Sequence, residues 1–190
     1  LNTIEYHIKE ILKLIGEDPD REGLKETPKR VEKMFKEIFK GINYTNKQIS
    51  EMYDKCFNED VNIYKYDNMI LVKNIPCFSF CEHHIALMYN MNISVAYIPC
   101  NKVIGLSKIS RIVDMVCRRL QLQERIGVDI VEIINIITGS QDIAVSIEAE
   151  HSCVSMRGIQ KNNVKTITTT FMGKFNENEN LKNRFILLLK

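Results

Sequence analysis

From Tyr89 to Tyr97 the chain alternates without a break: Tyr89, Met91, Ile93, Val95 and Tyr97 fall on one face, and Asn90, Asn92, Ser94 and Ala96 on the other. A period of two marks a strand with one buried face, so this run must lie in a sheet that something else covers. Pro99 closes it, since proline cannot donate to a ladder. Alternation returns in Ile143–Cys153, where Ile143, Val145 and Ile147 share a face with His151 and Cys153. Short runs at Val61–Tyr66 and Met69–Ile75 flank a turn at Asp67-Asn68, and Lys165–Phe171 reads as a final strand.

The cover is helical. Ile4, Ile8, Ile11, Leu12 and Ile15 form one apolar stripe, with Asn2 and Glu5 spaced as a capping box and Gly16 at the end. Thr27 is the expected cap of a second helix, with Pro28 at its first position, Val31, Met34, Phe35, Ile38 and Phe39 facing inward, and Gly41 stopping it. Ser107 is the expected cap of a third helix carrying Ile109, Ile112, Val113, Val116 and Leu120. A fourth covers Glu124–Ile137, before the turn Thr138-Gly139-Ser140, and Leu181–Leu189 reads as a packed C-terminal helix. Helices first, then an antiparallel sheet interrupted by a helix pair, define an α+β chain. The expected division is an N-terminal helical segment, 1–58, and a sheet-bearing domain, 59–190.

Composition narrows the partners. A chain of 190 residues, 45% hydrophobic and 26% charged, can bury a substantial core. A net charge of +2 offers no broad basic surface to nucleic acid or to a membrane, so any anion site must be a local cluster. No apolar run is long enough to span a bilayer and no signal peptide is visible, which makes the cytosol the expected compartment. The chain starts at Leu1 rather than Met, leaving room for a trimmed extension. Its six cysteines lack the spacing of a secreted disulfide scaffold and read as free thiols or metal ligands.

Three of the four histidines stand in two segments that also hold cysteine, Cys81-Glu82-His83-His84 and His151-Ser152-Cys153. Thiolate and imidazole are the donors zinc prefers, and a catalytic zinc commonly keeps three protein ligands and a water. Cys81 and His84 can meet across a tight turn. Equally, Cys77, Cys81, His83 and His84 could form a closed structural site, with Cys153 an ordinary core cysteine. Ser107, Lys108 and Arg111 open a predicted helix, where exposed N–H groups attract anions, and Arg157 and Lys161 follow Cys153. A polyphosphate would use such a set; a solvated basic face is the alternative. Gln123 and Glu124, at a helix start, can accept from the ring N–H and exocyclic amine of guanine. Taken alone, a Glu stabilised by the helix dipole explains that position as well.

Taken together, these segments resemble the GTP cyclohydrolase I family. The resemblance is carried by Gly16-Glu17-Asp18-Pro19-Asp20-Arg21-Glu22-Gly23-Leu24, Thr27-Pro28-Lys29-Arg30-Val31, Ser79-Phe80-Cys81-Glu82-His83-His84 and Val95-Ala96-Tyr97-Ile98-Pro99. It continues through Gly105-Leu106-Ser107-Lys108-Ile109-Ser110-Arg111-Ile112-Val113, Arg118-Arg119-Leu120-Gln121-Leu122-Gln123-Glu124-Arg125 and His151-Ser152-Cys153-Val154-Ser155-Met156-Arg157-Gly158. The order is the family's from about Gly16 to Phe175. One stretch departs: where relatives usually carry a Pro-Phe pair and a Gly, this chain has Ile85-Ala86-Leu87-Met88-Tyr89-Asn90-Met91, about one residue longer.

The resemblance implies zinc on Cys81, His84 and Cys153, proton transfer by His83 and His151, and a guanine edge held by Gln123 and Glu124. Ser107, Lys108, Arg111 and Arg157 would line the triphosphate site, with Lys161 beside them. It implies the tunnelling fold, an antiparallel sheet with a helix pair, in a toroidal homodecamer with active sites between subunits. The implied reaction opens the guanine imidazole ring of GTP, releases formate and yields 7,8-dihydroneopterin triphosphate. A pyruvoyl-tetrahydropterin synthase fits less well, because it uses three histidine ligands, and a zinc deaminase lacks its Pro-Cys-x-x-Cys element here. The alternative of another class is a zinc-stabilised subunit that binds guanine nucleotide without turning it over.

Overall fold

The computed structural model describes residues 2–58, 68–100 and 102–190, so the strand expected at Val61–Tyr66 lies outside the described residues. Two compact units divide the chain, Leu1–Lys40 and Gly41–Lys190.

The first unit is a helix pair. Helix α1 (Ile4–Leu14) is capped by Thr3, whose hydroxyl accepts from Tyr6 N at 3.2 Å. Asn2, the expected cap, instead pairs its Oδ1 with His7 Nε2 at 2.9 Å. Gly16, at φ 91°, ends the helix as anticipated. Helix α2 (Thr27–Ile38) has Pro28 in its first turn, but Thr27 is its first residue rather than its cap.

A 3₁₀ turn (Lys40–Asn43) begins at the last residue of the first unit, and the second unit continues into α3 (Asn46–Tyr53), where Thr45 and Gln48 make a reciprocal capping box. The expected boundary after residue 58 therefore falls inside this unit, to whose core α3 contributes Ile49. Strand β1 (Cys56–Asn58) is followed by β2 (Ile70–Cys81), β3 (Ala86–Tyr97), β4 (Lys102–Ile104), α4 (Leu106–Cys117), β5 (Leu120–Gln121) and α5 (Gln123–Thr138). After these come β6 (Ile143–His151), α6 (Ser152–Ser155), β7 (Lys165–Met172), α7 (Lys174–Glu177) and α8 (Glu179–Leu189). The main sheet has the order β5-β2-β3-β6-β7, antiparallel except for the short β5, and β1 pairs with β4. Gly105, not Ser107, caps α4, and Gly139 in the left-handed region ends α5.

Two apolar layers sandwich the sheet. On one face Met91, Ile93, Val95, Tyr97, Val145 and Ile147 pack against Ile109, Ile112, Ile126 and Ile130 of α4 and α5. On the other, Ala96 and Ala144 meet Phe175, Leu181 and Phe185. This second cover explains why Ala96, on the side expected to be solvated, is fully buried.

The alternation in β3 is interrupted once. Met88, not Tyr89, joins Met91 in the core, although the two lie three positions apart. Between them β3 carries one residue more than either neighbour: Cys77 and Ser79 of β2 face Met91 and Met88, and Glu148 and Glu150 of β6 face Asn92 and Tyr89. Asn90 adopts φ 48°, a left-handed geometry Asn tolerates, so the strand bulges there and its period is reset.

Candidate active site

Cys81 is the last residue of β2. A tight turn at 82–85 then returns the chain into β3, so Cys81 pairs with Ala86 on one side and with Gln121 of β5 on the other. Glu82 N donates to Gln121 O at 3.1 Å. Ile85 closes the turn at φ 51°, where a branched side chain is strained. The Glu82 carboxylate receives both arms of Arg125, at 2.6 and 3.2 Å, a hydrogen-bonded pair that holds it below the usual carboxylate range.

The second segment departs from its expected shape. Strand β6 stops at His151, and Cys153 lies in the single turn of α6 rather than two residues further along a strand. That turn is pinned to β3: Ser152 Oγ donates to Leu87 O at 2.8 Å, and Tyr89 Oη lies 3.3 Å from Ser155 Oγ. The result is a convergence. The ligand atoms of Cys81, His84 and Cys153 all lie within 4.8 Å of one another, and the three can hold a metal ion. Burial and the adjoining Cys81 push the Cys153 thiol up, the environment of a group that a cation would help to ionise.

His83 is exposed beside this group, its Nδ1 3.7 Å from Cys81 Sγ. His84 Nε2 lies 2.9 Å from Arg157 Nη1. A guanidinium only donates, so here Nε2 is the acceptor. Neutral imidazole has one lone pair, and a metal ion would compete with Arg157 for it. His151 is half-buried, and burial pulls its pKa down against the opposing pull of Glu124.

Other expected site residues are placed as follows. Glu124 is exposed at the start of α5. Gln123, expected to meet guanine with it, is only 2% exposed and faces the sheet. Ser107 and Arg111 are exposed in the first turns of α4, with Lys108 half-buried between them. Lys161 is exposed in the segment after α6. Among the described residues, no side-chain hydrogen bond or ion pair engages Ser107, Lys108, Arg111 or Lys161, so the structure does not join them to the Cys81–His84–Cys153 group. Two residues that periodicity did not single out shape the site: Arg125, on Glu82, and Gln121, paired with Cys81. Gln121 donates to Asp129 Oδ2 at 2.8 Å, alongside the Arg119–Asp129 ion pair at 3.0 Å.

At the margin of its sheet this α+β chain gathers two thiols and an imidazole, with a histidine alongside, in a group that could hold a metal ion. The sequence model of the family described as GTP cyclohydrolase I matches residues 4–190. GTP cyclohydrolase 1 of Clostridium botulinum is 56% identical over 189 residues, covering 99% of this chain and 96% of that one. The proteins of the same name from Clostridium acetobutylicum, 56% identical over 188 residues, and Clostridium beijerinckii, 54% over 188, match to similar extents. The chain belongs to the GTP cyclohydrolase I family, and its fold is the tunnelling fold of that family. Among solved structures, an archaeosine synthase QueF-like protein in its apo form aligns at 18% identity with a TM-score of 0.43, over 56% of this chain and 92% of its own.

Proposed function

We propose that this chain hydrolyses the imidazole ring of GTP, releasing formate and, after rearrangement of the ribose, forming 7,8-dihydroneopterin triphosphate. The observation that carries the reading is the meeting of Cys81, His84 and Cys153 from two distant strand ends in a chain of this family. Two thiolates and an imidazole fit zinc, which we assign to the three. Bound there, zinc supplies Lewis acidity and a water acidified to a pKa of about 7.

The chain's own residues do the rest. His151 and His83 exchange protons with the guanine ring, one of them protonating the ring nitrogen whose bond to C8 weakens; burial favours neutral imidazole at His151, which takes up a proton before it gives one. His83, exposed beside Cys81, is the second proton carrier. Glu124 accepts from the two donors of the guanine edge. Ser107, Lys108, Arg111 and Arg157 bind the triphosphate, with Lys161 at its margin, and the first turn of α4 adds N–H groups. Arg157 leaves His84 when it takes a phosphate, returning the imidazole lone pair. Binding of the triphosphate positions C8 without touching the reacting bonds.

The reading extends to a homodecamer in the cytosol with sites between subunits. Of this, only subunit contact has a structural support: α8 leaves Leu187 and Leu188 exposed, apolar surface that a second copy would cover. The test is turnover: purified protein with GTP and zinc, following formate and the fluorescence of oxidised neopterin. Both products are expected, abolished by chelation and restored by zinc. Absence of formate from zinc-loaded, oligomeric protein would replace this reading with a nucleotide-binding role.

A further inference from the structure

Gln123 is the first residue of α5, and its side chain turns away from solvent. Its Nε2 lies 3.2 Å from Ile147 O, 3.0 Å from Thr166 O and 3.3 Å from Thr168 Oγ1. Its Oε1 lies 2.7 Å from His151 Nε2. The amide has one chemically sensible orientation. Turned over, it would set an oxygen against two carbonyl oxygens that accept and cannot donate. With Nε2 committed to β6 and β7, Oε1 must face His151, and an amide oxygen only accepts. The proton of the neutral imidazole therefore resides on Nε2.

We infer that Gln123 is a positioning residue: it holds His151 as the Nε2–H tautomer and leaves Nδ1 as the nitrogen that exchanges protons with substrate. It does not bind guanine, because its side chain is buried, its amide N–H groups are taken inside the sheet and its oxygen faces His151. Glu124 is free for that role, because successive residues at a helix start project about 100° apart; one turns inward and the next outward. This rests on the reading above only in giving His151 proton work.

The experiment has two arms on the zinc-loaded protein. In the first, the ring nitrogens of His151 are observed by long-range ¹H–¹⁵N correlation in the wild type, assigned by their absence in His151→Ala. A protonated Nε2 and an unprotonated Nδ1 are expected; a proton on Nδ1 overturns the inference, and this arm stands even if the protein releases no formate. In the second, Gln123→Met keeps the side-chain length and removes the acceptor. The single tautomer should be lost. The kcat should fall on the order of 10- to 100-fold, as when an orienting partner of a functional imidazole is removed. The KM for GTP should stay within about threefold, and bound zinc per chain should be unchanged. An unchanged tautomer, or a raised KM with kcat intact, would return Gln123 to the substrate. Should Gln123→Met not fold, the wild-type spectrum alone decides.

Discussion

The two walls of the site are built by opposite means. One is the turn 82–85, where His83, His84 and Ile85 are exposed and the imidazoles stand outside the core, His83 touching it only through Cys81 Sγ. Its order comes from outside: Arg125 on Glu82, Arg157 on His84, and one backbone bond to Gln121. The other wall is the end of β6. Ile143, Val145, Ile147 and Ala149 are buried along its length, and His151 is fixed by an amide that is itself anchored to two strands. A turn held by replaceable polar bonds can rearrange when a ligand arrives, whereas a side chain braced in the core keeps one orientation. A metal ligand and an anion contact suit the first; a proton carrier suits the second.

The largest effect should come from removing a ligand that both walls share. Cys153→Ala should lose the metal, measured by elemental analysis, and with it turnover by on the order of 10³-fold or more. Full metal content in that variant would break the assignment. His151→Ala should keep the metal and lose about 10²- to 10⁴-fold in kcat, separating braced chemistry from ligation; parallel loss of metal would merge the two walls into one. Behind the braced wall, a Cβ on Gly127 would lie 2.3 Å from Thr170 Oγ1. Gly127→Ala should therefore cost a net ~1–2 kcal/mol by urea unfolding, overpacking exceeding the gain in helix propensity. A stabilised variant would show that β7 can yield there. The smallest effect is expected on the exposed wall: Glu82→Gln should leave the urea midpoint within error, since exposed ion pairs contribute little, while weakening the order of the turn. A clear midpoint shift would show that the turn is braced as firmly as its partner.

What could be read from the sequence follows what is periodic. Met91, Ile93, Val95 and Tyr97 were legible as one buried face because each obeys the strand repeat. Tyr89 was not, because a single left-handed Asn90 resets the repeat and period alone carries no sign of it. Helix α3 went unread although Thr45 and Gln48 spell its capping box, since only Ile49 and Ser50 of its eight residues are buried and no stripe stands out. Strand β2 appeared to end before Pro76, yet it continues to Cys81; among the described residues, β5 pairs only with Phe80 and Cys81 on that side, which leaves room for a residue without an N–H. The site segments were visible as clusters of Cys and His, and their convergence follows from β2 and β6 both flanking β3. The inward turn of Gln123 was not visible, because its partners come from β6 and β7 and no local pattern encodes them.

The bulge at Asn90 is also a place where the gene can change length. Downstream of it, Ile93, Val95 and Tyr97 keep their pairing with Ile147, Val145 and Ile143; upstream, Met88 still faces His151. An insertion or deletion taken up at this one point leaves both the packed half of the sheet and the ligand-bearing hairpin in phase. A change of one residue in chain length can therefore be absorbed here without shifting the register of either half of the strand.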